Sequence, residues 1–254
     1  MIAVCNHDSY FVQKKDAFGA MGLIPEQTIT AALRVLAYGA SADQVDEIAR
    51  MGKSTILQSL MRFCGAIKSI YTAEYLRQPI HMDFAWQDAY GDKKGAKSII
   101  LEAVASFDTW IWHTFFGVSG AQNDLNVLTQ SPVFNDVLQG KVPKVTYEVN
   151  RRMYDGPYYL ADDIYPRWST FVKTVSHLRS AKEKYFASYQ EGCRKDVERC
   201  FGILQARWAI VKGAAKLFDV ESLRSIIMTC IILHNMIVED EYVMKLLMNM
   251  SQTQ

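Results

Sequence analysis

Paired cysteines, a secretory leader, a bilayer-length apolar run and a dense cluster of cations are all missing from this sequence, and each absence removes a class of function. The five cysteines, Cys5, Cys64, Cys193, Cys200 and Cys230, form no CxxC pair and no metal-finger spacing. A disulfide scaffold and a zinc ribbon are thereby excluded, and reduced thiols in an intracellular compartment are expected. Nothing near Met1 reads as a secretory signal. The longest apolar stretch, Ile226 to Val238, is broken by Cys230, His234 and Asn235 and falls short of the roughly 20 residues that cross a bilayer, so no membrane partner is expected. No run of Lys and Arg is strong enough to act as an import signal. With 28 cations against 27 anions the net charge is only +1. Any nucleic-acid surface must therefore be a local stripe rather than a property of the whole chain.

What the chain does have is core. Half of its 254 residues are hydrophobic and 22% are charged, enough to bury one large and one small domain. From Thr28 to Tyr38 the residues Ile29, Ala32, Leu33, Leu36 and Ala37 recur at helical spacing, and Gly39 offers a stop. Ser41-Ala-Asp-Gln44 has the form of a capping box opening a short helix to about Arg50. After the turn Met51-Gly52-Lys53-Ser54, residues 54–71 carry Ile56, Leu60, Phe63, Ile67 and Ile70 along one face. The sum is a helix-turn-helix-like unit. Arg50, Lys53, Arg62, Lys68 and Arg77 give it a basic stripe, with Glu74 the one acidic residue between 50 and 77. Such a stripe suits phosphate contacts, and it equally suits an ordinary three-helix subdomain with solvated cations.

Beyond Pro79 the pattern changes to strands. Residues 98–105 and 111–117 are short, rich in β-formers and separated by the polar turn 106–109, which predicts a hairpin. Further strands are expected at 145–149 and 158–161, and long helices at 194–211 and 220–239. The fold class is α/β or α+β. His113 and His234 sit in apolar patterns and read as packed histidines. The tryptophans Trp86, Trp110, Trp112, Trp168 and Trp208 read as core anchors rather than a base-stacking platform.

Three acidic residues stand where carboxylates could work together. Asp162 follows the run Tyr158-Tyr-Leu-Ala161, at the end of a predicted strand; Glu198 lies on a predicted helix, with residues 163–197 between them; Asp124 falls in Gly120-Ala-Gln-Asn-Asp-Leu-Asn126. Converging carboxylates can bind a pair of divalent cations that activate a nucleophile and stabilise a leaving oxygen in phosphoryl displacement. Their spacing alone is equally that of a turn former and a solvated helix charge.

Several segments share a pattern with a known family: Gly95-Ala-Lys-Ser-Ile-Ile-Leu-Glu-Ala-Val-Ala-Ser106, Asn123-Asp-Leu-Asn-Val-Leu128 with Ser131-Pro-Val-Phe134, Tyr158-Tyr-Leu-Ala-Asp162 with Ile164-Tyr-Pro166, residues 191–208, and Ile231-Ile-Leu-His-Asn-Met-Ile-Val-Glu-Asp-Glu241. Upstream, Tyr10-Phe-Val-Gln13 and Tyr75-Leu-Arg-Gln-Pro79 extend the likeness. Over nearly its whole length the chain resembles plant PIF/Harbinger transposase-derived nucleases. That resemblance implies an RNase H-like DDE domain that cuts DNA with Mg²⁺ or Mn²⁺, a Myb-like DNA-binding partner protein, and residence in the nucleus that depends partly on that partner. Carried over by residue, Asp162 matches the second acidic position and Glu198 the third, both catalytic and metal-binding, and Asp124 matches an auxiliary metal ligand. Arg194 would steady Glu198 from one turn away.

One part of the pattern is missing. Relatives carry a few dozen residues after Tyr-Leu-Arg-Gln-Pro, including a strand with Ile-Asp-Cys-Met-His-Trp that supplies the first aspartate, whereas here Pro79 leads almost directly into Ile80-His-Met-Asp-Phe-Ala-Trp86. Asp83 is the nearest replacement, but it lies too close to Ala85-Trp86 to keep the family's register. The expected architecture is thus a helix-turn-helix-like domain over 1–79, an incomplete RNase H-like DDE domain over 80–244 and a tail over 245–254. A truncated product, an aberrant splice product and a domesticated remnant would each give this pattern. The implied chemistry is DNA phosphodiester hydrolysis, impaired, and the alternative is a non-catalytic DNA- or protein-binding module.

Overall fold

The computed structural model describes residues 1–76, 87–90, 99–119, 146–156, 158–161, 167–168, 170–175, 177–213 and 219–251. They belong to two compact units, one comprising Met1–Leu76 with Gly202–Gln254 and the other Arg77–Phe201. The chain passes from the first unit to the second after Leu76 and returns to the first at Gly202, inside a helix.

The first unit is helical. α1 (Ile2–His7) and a 3-10 turn (Ser9–Phe11) precede α2 (Pro25–Tyr38), α3 (Ala42–Ala49), α4 (Lys53–Tyr75), a second 3-10 turn (Ala209–Lys212) and α6 (Val220–Ser251). Pro25 opens α2 at its first turn, where its missing N–H costs nothing, and Ile29, Ala32, Val35 and Leu36 are buried on one face. Gly39 ends the helix with φ +59°, and a Cβ at this position would stand 3.2 Å from the backbone of Ala209 and Ile210. Glycine is needed there for its conformation and for its size. The capping box is present: Ser41 Oγ accepts from the Gln44 N–H at 3.4 Å, and Gln44 Oε1 accepts from the Ser41 N–H at 3.0 Å.

The core of this unit is the packing of α4 on α6. Ile56, Leu60, Phe63 and Ile67 are buried on α4, and Ile226, Ile231 and Ile232 are fully enclosed on α6. The buried polar side chains of α4 and α6 are paired, because an unpaired buried donor or acceptor costs about 1–3 kcal/mol. Thr229 donates to the carbonyls of Ser225 (2.8 Å) and Cys64 (3.3 Å), and Lys68 reaches Ser225 Oγ at 3.2 Å. Asn235 Nδ2 donates to the Tyr75 carbonyl at 2.7 Å, and Tyr75 Oη donates to Glu239 at 2.8 Å. His234, fully buried, lies 3.3 Å from Arg207, which also pairs with Glu241. α6 runs further than the sequence suggested, through Ser251. By length and hydropathy it could cross a bilayer, but half of its most apolar stretch is buried against the rest of the unit.

All five cysteines are free thiols. Cys64, Cys200 and Cys230 are buried, Cys5 and Cys193 half-buried. Burial pushes the Cys64 thiol up to about 11 and the Cys230 thiol well above its ordinary value, so neither offers a thiolate at neutral pH. A thiol reagent at neutral pH is expected to modify Cys5 and Cys193 in the native protein and the other three only on unfolding. Modification of a third thiol without loss of the helical circular dichroism signal would contradict this packing.

The second unit carries the strands. β1 (Gln87–Tyr90), β2 (Ile99–Ala105) and β3 (Ile111–Ser119) form an antiparallel sheet in that order, with Val104 opposite His113 and irregularities at Ile100/Leu101 and Val104/Ala105. The loop between β2 and β3 closes through Ser106 N–H to the Trp110 carbonyl (3.0 Å), with Thr109 left-handed at φ 72°. The predicted hairpin is therefore present with boundaries within two residues. β4 (Thr146–Val149) and β5 (Arg152–Asp155) make a second hairpin, and the two-residue strands β6 (Tyr159–Leu160) and β7 (Phe171–Val172) pair in parallel. α5 (Ala181–Arg207) follows. Its buried residues Val197 and Cys200 face the β2–β3 loop: Cys200 Sγ donates to the Thr109 carbonyl at 3.3 Å, and Arg199 donates to the Phe107 carbonyl. Mixed helices and small sheets make this an α+β chain. Trp110, Trp112 and Trp208 are buried as anchors, and Trp112 Nε1 donates to Ser106 Oγ at 3.0 Å.

Candidate functional site

Of the three carboxylates singled out by the sequence, Glu198 lies among the described residues; Asp162 and Asp124 lie outside them, as does Asp83. Glu198 sits on α5 between buried Val197 and Cys200 and faces solvent. Its carboxylate takes neither a hydrogen bond nor an ion pair from any described residue, so the expected support from Arg194 is not formed. An exposed, uncommitted carboxylate on a rigid helix is a suitable oxygen ligand for a hard divalent cation. Among the described residues no three His, Cys, Asp or Glu side chains converge to hold a metal ion. The approach to Asp162 is described: Tyr159, Leu160 and Ala161 are buried, and the Ala161 N–H donates to the Val172 carbonyl at 3.2 Å.

The helix-turn-helix-like unit is formed by α3, a turn at residues 50–52 and α4, but most of its basic stripe is committed within the protein. Lys53 pairs with Asp43, and Lys68 is held by Ser225. Arg62 grips both oxygens of Asp8, at 3.1 and 3.2 Å, while its guanidinium lies 5.0 Å from the centre of the Tyr10 ring. Arg77 lies outside the described residues. Arg62 therefore fastens the N-terminal segment to α4 and Lys68 fastens α6 to α4, while Lys53 makes an exposed pair between α3 and α4.

The Tyr10 N–H, and after it Arg62, hold the Asp8 carboxyl below its usual value. A depressed folded-state pKa contributes stability above the unfolded value of about 4, and that contribution is lost as pH falls through the folded value. Arg62→Ala is expected to cost at most about 1 kcal/mol, since the pair is partly solvated. It should also shallow the acid limb of a stability-against-pH curve. An unchanged acid limb would show that the pair does not hold the N-terminal segment.

Sequence reasoning missed an aromatic trough in the second unit. Tyr147, Tyr154 and Tyr158 line one wall and Phe186, Tyr189 and Gln190 the other, around a cavity of about 480 Å³. Its signal was the alternation Tyr147, Val149, Arg152, Tyr154 across a hairpin. That hairpin went unseen because its turn, Asn150-Arg151, contains no glycine, although both residues are left-handed at φ 53° and 63°.

The sequence model of the plant transposon protein family matches residues 37–245. The chain belongs to that family and is transposase-derived. It has no significant match among curated proteins or solved structures.

Proposed function

We propose that this protein descends from a PIF/Harbinger-type DDE endonuclease with an RNase H-like core, whose inherited chemistry is divalent-metal-dependent hydrolysis of DNA phosphodiester bonds, and that this chemistry is impaired here. Membership of the plant transposon protein family carries the reading. Glu198 supports it as an uncommitted carboxylate on α5. Asp162, Glu198 and Asp124 would hold Mg²⁺ or Mn²⁺, which when bound would sharpen a water or 3′-hydroxyl nucleophile and stabilise the leaving oxygen. The chain's own contribution is to fix the carboxylates. α5 fixes Glu198 by burying Val197 and Cys200 on either side of it. With the first-aspartate strand missing after Pro79, the remaining carboxylates would bind the cation pair weakly.

That same missing strand favours a second reading, a domesticated transposase acting as a non-catalytic DNA- or protein-binding module. In either case DNA targeting is assigned to a Myb-like partner, and nuclear residence follows in part from it. The engagement of Lys53, Arg62 and Lys68 inside the helical unit is consistent with weak, salt-sensitive DNA binding by the chain alone.

Calorimetric titration with Mn²⁺ tests the metal assignment without relying on activity. Wild type should bind weakly, and Asp162→Asn and Glu198→Gln should each weaken binding by about tenfold or more, because each removes a charged oxygen ligand. Equal binding by wild type and both variants would remove these residues from any metal site.

A further inference from the structure

We propose that the tyrosine trough of the second unit binds a single nucleic-acid strand by stacking its unpaired bases. This deepens the reading of the chain as a DNA-acting protein and rests on it. The face of α5 that buries Val197, Cys200 and Leu204 toward its C-terminal end is left open over Phe186, Tyr189 and Cys193, where the β4–β5 hairpin and β6 form the opposite wall. A second hollow lined by Tyr185, Tyr189 and Cys193 continues it along the helix.

The rings are arranged as platforms. Tyr147 and Tyr154 stack at 5.7 Å with planes 14° apart, and Tyr185 and Tyr189 at 6.4 Å and 19°. Their outer members remain open: Tyr154 is 44% exposed, Tyr189 67% and Tyr185 74%. Near-parallel rings with free outer faces can be continued by a flat heterocycle, and such stacking tolerates any base. The cavity volume lies within the roughly 300–1,000 Å³ of sites that enclose small ring systems.

Charge selects a strand of nucleic acid over a peptide. Strand alternation puts Arg152 on the trough face with Tyr147, Val149 and Tyr154, while the acidic Glu148 and Asp155 fall on the far face of the hairpin. Lys182 stands one turn before Phe186 on the same side of α5. The acid at the trough's edge, Asp196, is paired with Arg199 at 3.1 Å. Cations at the two walls and neutral rings between them match an anionic backbone carrying flat bases. Glu198 lies about 120° round the helix from Phe186 at 100° per residue, so the trough is separate from the assigned metal ligand.

The test is fluorescence anisotropy with the full chain in EDTA, using labelled oligothymidylate of about 15 nucleotides, an abasic strand of equal length and a duplex. The oligothymidylate should bind more tightly than the abasic strand. Tyr189→Ala and Tyr154→Ala should each weaken oligothymidylate binding by about 5- to 150-fold, the loss of one stack, and leave the abasic strand unaffected. Tyr189→Phe should stay within about threefold of wild type, since the ring face is kept. Arg152→Ala with Lys182→Ala should weaken both strands and flatten the salt dependence. Because Tyr189 is largely exposed, Tyr189→Ala decides the matter even if Tyr154→Ala misfolds.

Absence of oligothymidylate binding, equal affinity for the abasic strand, or indifference to Tyr189→Ala overturns the proposal. So does a proline-rich peptide that binds in a Tyr189-dependent way while the oligonucleotide does not. No metal is present in this measurement, so its failure is distinguishable from failure of the nuclease reading, which the Mn²⁺ titration addresses.

Discussion

Ile231→Ala is expected to lower the stability of the helical unit by about 2–5 kcal/mol, the cost of deleting a large aliphatic side chain from a core that can only partly collapse. Ile231 is fully enclosed on α6, which packs on α4, and its neighbours Cys230 and Ile232 are equally inaccessible. Thr229 and Asn235 fix the register of the two helices by donating to the carbonyls of Cys64 and Tyr75, so α6 cannot slide to fill the cavity without breaking hydrogen bonds. Urea denaturation followed by circular dichroism is the measurement. The midpoint should fall while the slope is kept. Ile48→Ala, at a position 62% exposed, should change stability by no more than about 0.5 kcal/mol and serves as the control. A loss below about 1 kcal/mol at Ile231 would mean that α4 and α6 do not form the core described here.

The second large effect is a gain. Supplying, between Pro79 and Ile80, the first-aspartate strand that the PIF/Harbinger resemblance implies is expected to raise Mn²⁺-dependent DNA nicking by at least about a hundredfold, the order lost when one preorganised charge-stabilising group leaves an active site. The gain should vanish again with Glu198→Gln or Asp162→Asn. A chain that folds with the added strand, binds Mn²⁺ and still does not nick would favour the non-catalytic reading.

How much of this was legible beforehand depends on how local the determinants are. The α2 stripe, the Gly39 stop and the Ser41–Gln44 capping box are encoded within a few residues, and all are present. The 99–119 hairpin was readable because two β-rich runs flank a turn. The first half of α5 was missed, since Lys182, Glu183, Lys184 and three exposed aromatics interrupt any single apolar stripe. Yet a start signal existed: Ser180-Ala-Lys-Glu183 is a second capping box, with Glu183 accepting from the N–H groups of Ser180 (2.8 Å) and Arg179 (2.6 Å) and Ser180 Oγ accepting from the Glu183 N–H (3.2 Å). The tyrosine trough could not be read because it joins residues 147–160 to 186–193 across the chain. The joining of Gly202–Gln254 to the N-terminal helices is likewise a long-range packing outcome.

The basic stripe teaches the opposite lesson. Counting cations between 50 and 77 leaves a phosphate surface and a set of solvated cations equally open, whereas the fold shows that Asp8, Asp43 and Ser225, distant in sequence from most of their partners, pair with three of them.

The central claim is that this is a transposase-derived protein whose metal-dependent DNA hydrolysis is impaired by the missing strand. Incubation of the purified full chain with supercoiled plasmid and Mn²⁺, beside Glu198→Ala, tests it most directly. The account predicts that both proteins leave the plasmid at background nicking. Robust nicking by wild type that Glu198→Ala abolishes would contradict it, and would mean that another carboxylate of this chain, with Asp83 the first to examine, completes the site.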